Sequence, residues 1–318
     1  MRRLLVNDAL NQLGEHTFWN DLVEWFDMEF VGGDYNTLAV EADERLDFFL
    51  QDGYAGDDWP RVVVRNATWF PSMNHSKRVP TISLLQDIMP DGEMRNMQDA
   101  VISSSRAVVF NSLFTASKYS SPAEIDTCVI PLPVDFSLFT PQNAMGCQQA
   151  LSLPDGCVLW IGASQGAAGH VKGFDIFTQI VRTNPDIPFV GVFKDAAPES
   201  VPPNLRVYTR LSHADLVKVI GACRVGLCTS RTESQHLAGI EMGACGLPVV
   251  APPVGVYWHA EPGFPGFVVA DPTVQSFTGA IRGQLGRFDG MREWWQERFD
   301  KPVIMAAWMQ LIAEVEAA

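Results

Sequence analysis

Val225–Gly255, VGLCTSRTESQHLAGIEMGACGLPVVAPPVG, is the stretch that decides the fold. It reads as a short apolar strand, VGLCTS, then a polar loop, then a helix that starts near His236 or Leu237, then a second apolar strand, LPVVAP. Apolar runs of strand length separated by a helix imply parallel strands buried on both faces. The same alternation runs through the chain twice. RRLLVN, MEFVGG, RVVVRN, TISLLQ, AVVFNS and TCVIPL are the candidate strands of the first half, and CVLWIGA, PFVGVFK, LRVYTR, VGLCTS, LPVVAP and GFVVA those of the second. The expectation is an α/β protein of two doubly wound, Rossmann-like domains, 1–140 and 141–300. A closing helix, 301–318, is expected to pack back on the first domain, with Trp294, Trp295 and Trp308 in that packing. The proline-rich stretch 131–156, PLPVDFSLFTPQNAMGCQQALSLPDG, reads as the linker.

Open α/β sheets bind ligands at the carboxyl ends of their strands, in the cleft expected between two such domains. Glu233 falls in the loop after VGLCTS, and Glu241 lies one or two turns into the following helix. The first backbone N–H groups of that helix are unpaired and suit a phosphate. Carboxylates beside an anion site make sense as acceptors for hydroxyl groups at either end of a diphosphate. A nucleotide sugar offers both, ribose at one end and hexose at the other.

Composition narrows the alternatives. At 318 residues and 47% hydrophobic, the chain can bury the cores of two domains. Its 23 basic and 37 acidic residues give a net charge of −14, which repels polyanions and anionic bilayers. Cys128, Cys147, Cys157, Cys223, Cys228 and Cys245 form no CxxC pair and read as reduced core thiols. With no signal-peptide core and no long apolar span, a cytoplasmic protein without a transmembrane segment is expected.

The segment SRTESQHLAGIEMGACGLPVVAPPVG resembles the donor-binding signature of the retaining GT-B glycosyltransferases, in particular the family 4-like proteins known as glycosyl transferases group 1. LWIGASQGAAGHVKGFDIFTQIV is similar to the first strand, loop and helix of that family's donor domain, and Lys172-Gly173 falls on its lysine-glycine pair. ISSSRAVVFNSLFTASKY and CVIPLPVDFSLFTP resemble its approach to the interdomain region. The likeness runs from about residue 80 to 280 and implies the GT-B fold. It implies that Glu241 bonds the ribose hydroxyls, that Glu233 lies near the transferred sugar, and that Lys172 holds the diphosphate and offsets charge on the leaving nucleotide. The resemblance further implies that backbone amides at Gln235, His236, Leu237 and near Gly162 complete the anion site, and that the base is read near Arg210 and Leu211.

The departures from that pattern are specific. Ser234-Gln235-His236 replaces a glycine-aromatic-glycine run after the first glutamate. The arginine that follows the first strand's glycine is missing at Ala163 and Ser164, with Lys194 or Arg231 as substitutes. Gln86-Asp87 stands where the family has histidine-aspartate, leaving Asp87, or His16 after the first strand, to do that work. No aspartate-x-aspartate run is present to chelate a metal on the diphosphate. Neither a metal nor a cofactor is expected, the donor being a UDP- or GDP-linked sugar. The expected activity is transfer of that sugar, with retention, to a hydroxyl of a soluble saccharide or protein, a nucleic-acid base being kept as an alternative acceptor. Two rival readings are an epimerase of the same fold, using His213 or His236, and a nucleotide-sugar-binding protein that has lost catalysis.

Overall fold

A computed structural model describes residues 3–6, 18–31, 61–66, 79–259, 263–285 and 292–318. His16 lies outside the described residues. The chain divides into two compact units, 1–133 with 302–318, and 134–301.

The first unit carries a parallel sheet of β1 (Arg3–Val6), β2 (Glu29–Val31), β3 (Val62–Asn66), β4 (Thr81–Leu85), β5 (Ala107–Phe110) and β6 (Asp126–Val129), in the order β2-β1-β3-β4-β5-β6. β3, β4 and β5 are buried along their whole length, so both faces need cover. One face of the sheet, with Val62, Val64, Ile82, Leu84, Ala107 and Val109, packs on the Lys301–Ala317 helix through Ile304, Met305, Trp308, Leu311, Ile312 and Val315. The other face meets Val101 and Ile102 of the Glu93–Ser103 helix.

The second unit carries β7 (Val158–Gly162), β8 (Phe189–Phe193), β9 (Leu205–Thr209), β10 (Val225–Leu227), β11 (Val249–Ala251) and β12 (Gly266–Val268). All are parallel, in the order β12-β11-β10-β7-β8-β9. That is the doubly wound order in which the chain first builds outward from β7 and then reverses to the other side at β10. The crevice outside the carboxyl ends of β7 and β10 is therefore the topological switch point, where ligands of such sheets sit. Trp160 of β7 anchors one face, its indole stacked on Phe177 with centroids 4.7 Å apart. Gly162 makes room for it, because a Cβ there would lie 2.6 Å from the indole.

Two expectations are corrected. Residues 134–156 are not a linker: Val134, Phe136, Phe139 and Leu153 are buried in the core of the second unit, and the stretch holds the Ala144–Leu151 helix. Its prolines interrupt the backbone pattern but not the burial. Trp294 and Trp295 likewise pack within the second unit, against Phe264 and Phe299, while Trp308 alone of the three serves the first. Asp300, between the Arg292–Phe299 and Lys301–Ala317 helices, is where the chain passes from one core to the other.

Trp308 is fully buried. Trp308→Ala is expected to cost the first unit about 4 kcal/mol, read as an earlier urea transition of that unit with the second unit's transition unmoved.

Candidate functional site

Two loops meet at the switch point. After β7 the chain forms the short Gly166–Val171 helix, turns at Lys172-Gly173 and enters the Phe174–Thr183 helix. After β10 it runs through residues 228–236 into the Leu237–Ala244 helix. They are tied together at several points. Thr229, buried, accepts from the Trp160 indole at 2.9 Å, and its hydroxyl faces the carbonyls of Lys172 and Gly173 at 3.0 and 3.1 Å. The Arg231 backbone N–H donates to Val171 O at 2.8 Å, and its guanidinium takes Asp175 in a two-pronged pair while also donating to His170 O. Arg231 is thus a clamp on the loop rather than a cation held ready for a ligand. Gly173 has φ +65, and a Cβ there would collide with the Thr229 carbonyl, so only glycine lets the loops approach this closely.

The result is an ion pair whose carboxylate is buried and whose ammonium is half-buried. Lys172 Nζ donates to Glu233 Oε1 at 2.6 Å, and the Ser230 hydroxyl donates to the same oxygen at 2.6 Å. Burial pushes the Glu233 carboxyl up, but His236, Lys172 and Ser230 together hold it below its ordinary value. Burial pushes His236 down to about 4 despite the pull of Glu233. Burial, reinforced by the Glu233 charge, pushes the Cys228 thiol up to about 12.

His236 caps the Leu237–Ala244 helix in a left-handed conformation, φ 77, which non-glycine residues seldom adopt. The loop keeps the backbone that suits glycine and carries a side chain nonetheless. Its ring is accommodated by Gly239, where a Cβ would strike both His236 and the Tyr257 hydroxyl, and the backbone before it by Gly255, where a Cβ would lie 2.6 Å from Gln235 O. His236 Nδ1 lies 2.7 Å from the Tyr257 hydroxyl, and Val256 N–H donates to Gln235 O at 3.2 Å, so the loop after β11 braces the site from behind.

Glu241 is on the same helix, five residues in. Burial pushes its carboxyl up to about 7, with Lys194 drawing it back a little, although the residue keeps a narrow exposed edge. Leu237, first in the helix, is exposed. Arg210, φ 48, and Leu211 follow β9 at the same edge of the sheet, with β8 between them and β7. The amides near Gly162 are engaged: Ser164 N–H and Gln165 N–H both donate to the Asp195 carboxylate at 2.9 Å. Those groups are filled by the protein's own anion, while Lys172 and Lys194, whose charge is felt at both His236 and Glu241, stand with the N-terminus of the Leu237–Ala244 helix as the positive side. Asp87 belongs to the first unit, after β4, where its carbonyl accepts from the Tyr119 hydroxyl at 3.0 Å and Asn111 holds the neighbouring Gln86 carbonyl at 3.1 Å. His213 packs edge-on against Phe139 at 5.8 Å. Sequence reading took Cys228 only as a core thiol and passed over Ser230, Asp195 and Tyr257: Asp195 and Tyr257 act on partners distant in the chain, and Ser230 and Cys228 approach Glu233 only through the fold of their own loop.

Two doubly wound, all-parallel units in one chain, the second with its ion pair at the switch point, are the GT-B architecture. Residues 158–286, within the second unit, match the family model described as Glycosyl transferases group 1. Among curated proteins, the chain is 26% identical over 255 residues to D-inositol 3-phosphate glycosyltransferase of Thermobifida fusca, covering 71% of this chain and 56% of the relative. It is 25% identical over 186 residues to the protein of that name from Segniliparus rotundus, covering 54% and 40%. The chain thus spans about half the length of the curated relatives it matches. Solved structures share the whole fold: sucrose-phosphate synthase of Thermosynechococcus elongatus, TM-score 0.78 at 15% identity over 100% of both chains, and HepE of Anabaena in complex with UDP, TM-score 0.76 at 15% identity over 99% and 100%. Among the described residues no helix is long and apolar enough to cross a membrane.

Gly173→Ala is expected to destabilise the second unit by roughly 3 kcal/mol, from the left-handed φ together with the clash; denaturant titration reads it. Glu241 makes a second prediction. Its folded value of about 7 lies above the ordinary 4.5, so from pH 4.5 upward the unfolded chain releases a proton that the folded chain keeps until about pH 7. Stability is lost across that window. Without ligand, Glu241→Gln should therefore melt at the same temperature as the parent near pH 4 and at a higher temperature at pH 8.

Proposed function

We propose that the chain transfers a sugar from a nucleoside diphosphate to an acceptor hydroxyl, with retention at the anomeric carbon and without a metal on the diphosphate. The observation that carries this reading is the Lys172–Glu233 pair, 2.6 Å apart, beside the N-terminus of the helix that bears Glu241. The donor we propose is a UDP-sugar, because HepE of Anabaena has been solved with UDP and with UDP-glucose. Glu241 takes the ribose hydroxyls, the amides of Gln235, His236 and Leu237 face the diphosphate, and Glu233 lies toward the sugar.

In this reading Lys172 has two partners in turn. With the site free it rests on Glu233; with donor bound, the diphosphate competes for the ammonium and draws it over as charge grows on the leaving group. Stabilising charge that develops only in the transition state lowers the barrier most. The bond from the anomeric carbon to the phosphate oxygen breaks, the acceptor oxygen bonds to the same face, and the departing phosphate oxygen takes the acceptor's proton. The acceptor is a neutral saccharide or protein hydroxyl, in keeping with a chain of net charge −14.

A panel of UDP-, GDP-, ADP- and dTDP-sugars, followed by thermal shift and calorimetry, tests the donor. At about 100 times its dissociation constant the right ligand stabilises the fold by roughly 2.7 kcal/mol, and Glu241→Ala should abolish the effect. Because ribose hydroxyls donate to an ionised Glu241, affinity should rise as pH increases through about 7, with a proton released on binding below that pH. Lys172→Met should lower kcat by roughly a hundredfold or more while leaving donor affinity less affected. Proton NMR of the product decides the stereochemistry, an inverted anomer ruling out retention, and full activity in EDTA is the expected result. Donor incubated alone should yield slow hydrolysis; an epimer of the sugar would instead favour the epimerase.

A further inference from the structure

The loop that places Glu233 also gathers a set of metal donors. Cys228 Sγ, a Glu233 carboxylate oxygen and a His236 ring nitrogen all lie within 4.8 Å of one another, and all three residues are buried. Thiol, carboxylate and imidazole together are the donors of zinc-class ions. With bonds of about 2.0 to 2.3 Å, donors around a tetrahedral ion stand roughly 3.3 to 3.8 Å apart, so these three close on an ion with shifts of about an ångström. Lys172 and Ser230 both bond Oε1 of Glu233, and Oε2 is the oxygen on the other side of the carboxylate.

A second observation points the same way. Ligating histidines hold their other ring nitrogen on an oxygen, which sets ring orientation and tautomer. His236 Nδ1 already lies 2.7 Å from the buried Tyr257 hydroxyl, leaving Nε2 as the ligand. The histidine is kept there in a left-handed backbone, φ 77, that glycine would occupy without strain.

We propose that Cys228, Glu233 and His236 form a site for a zinc-class divalent cation, and that filling it takes Glu233 away from Lys172. As the sulfur–metal bond forms, the thiol proton leaves to solvent; thiolate and carboxylate balance the two charges of the ion, the imidazole stays neutral, and water completes the tetrahedron. The cation repels the Lys172 ammonium across the shared carboxylate and draws off the charge that held it there. The Lys172 side chain is 29% exposed, so solvent lies open on one side of it. The bound metal is an inhibitor, distinct in place and role from a diphosphate-chelating ion. The inhibition rests on the transfer reading above; metal binding does not.

The full chain, free of nucleotide, is titrated with Co²⁺ and then Zn²⁺. One equivalent of Co²⁺ should give the strong visible bands of a tetrahedral ion and a near-ultraviolet sulfur-to-cobalt charge transfer, both removed by Zn²⁺. Cys228→Ser should abolish the charge transfer, and His236→Gly should weaken Co²⁺ binding by roughly tenfold or more. X-ray absorption at the zinc edge of the unaltered chain, which no folding defect can confound, should place one sulfur among nitrogen and oxygen ligands. A zinc shell of nitrogen and oxygen alone, or a charge-transfer band undiminished in Cys228→Ser, overturns the site. One equivalent of Zn²⁺ should stop transfer and a chelator should restore it; sulfur-bound zinc with unchanged transfer overturns the inhibition. Should no donor support transfer, the spectra still decide the metal site, and the failure belongs to the transfer reading.

Discussion

Lys172 and Glu233 sit 61 positions apart in the chain and meet because two loops leaving neighbouring strands are bound to each other before either side chain is placed. Thr229 against the Lys172-Gly173 turn, Arg231 against Asp175 and the glycine that lets the backbones touch make one rigid frame. An ammonium and a carboxylate brought out of water are costly unless geometry and further hydrogen bonds repay the lost hydration. Here the Ser230 hydroxyl shares the carboxylate oxygen, and the lysine keeps partial contact with solvent. The pair is therefore stable enough to persist and exposed enough at one end to change partners.

The helix that follows carries the opposite tension. A carboxyl raised to about 7 and a histidine forced into a left-handed backbone both work against folding. Their neighbours are arranged to tolerate them, with Gly239 and Gly255 clearing space and Tyr257 giving the imidazole its hydrogen bond. These unfavourable features are concentrated at one end of one helix, beside the buried central strands β7, β10 and β11. Asp195 plays a related part on the other loop, using the amides of Ser164 and Gln165 to fix its course.

Much of this was legible from local pattern. All twelve described strands fall on the apolar runs, because strands at the centre of a covered parallel sheet are mostly apolar and so announce themselves without long-range information, polar exceptions such as Arg65 and Ser83 notwithstanding. The lysine-glycine pair and the two glutamates stood out at the expected places after their strands. Legibility ended where burial and backbone pattern part company. The proline-rich stretch 134–156 reads as a connector yet supplies core residues, and adjacent indoles and Trp308 serve different cores across a single break at Asp300.

The sequence by itself determined the alternation of strands and helices, the parallel character of both sheets and the loops on which the charged residues lie, since these follow from nearest-neighbour propensities and the period of apolar residues. Tertiary structure alone decided which of those residues touch. The Lys172–Glu233 pair and the Tyr257 brace each join separate crossings of the sheet edge, and the Cys228–Glu233–His236 cluster forms by one loop folding back on itself; their distances depend on strand order and loop path, properties of the folded chain that the order of residues alone does not display.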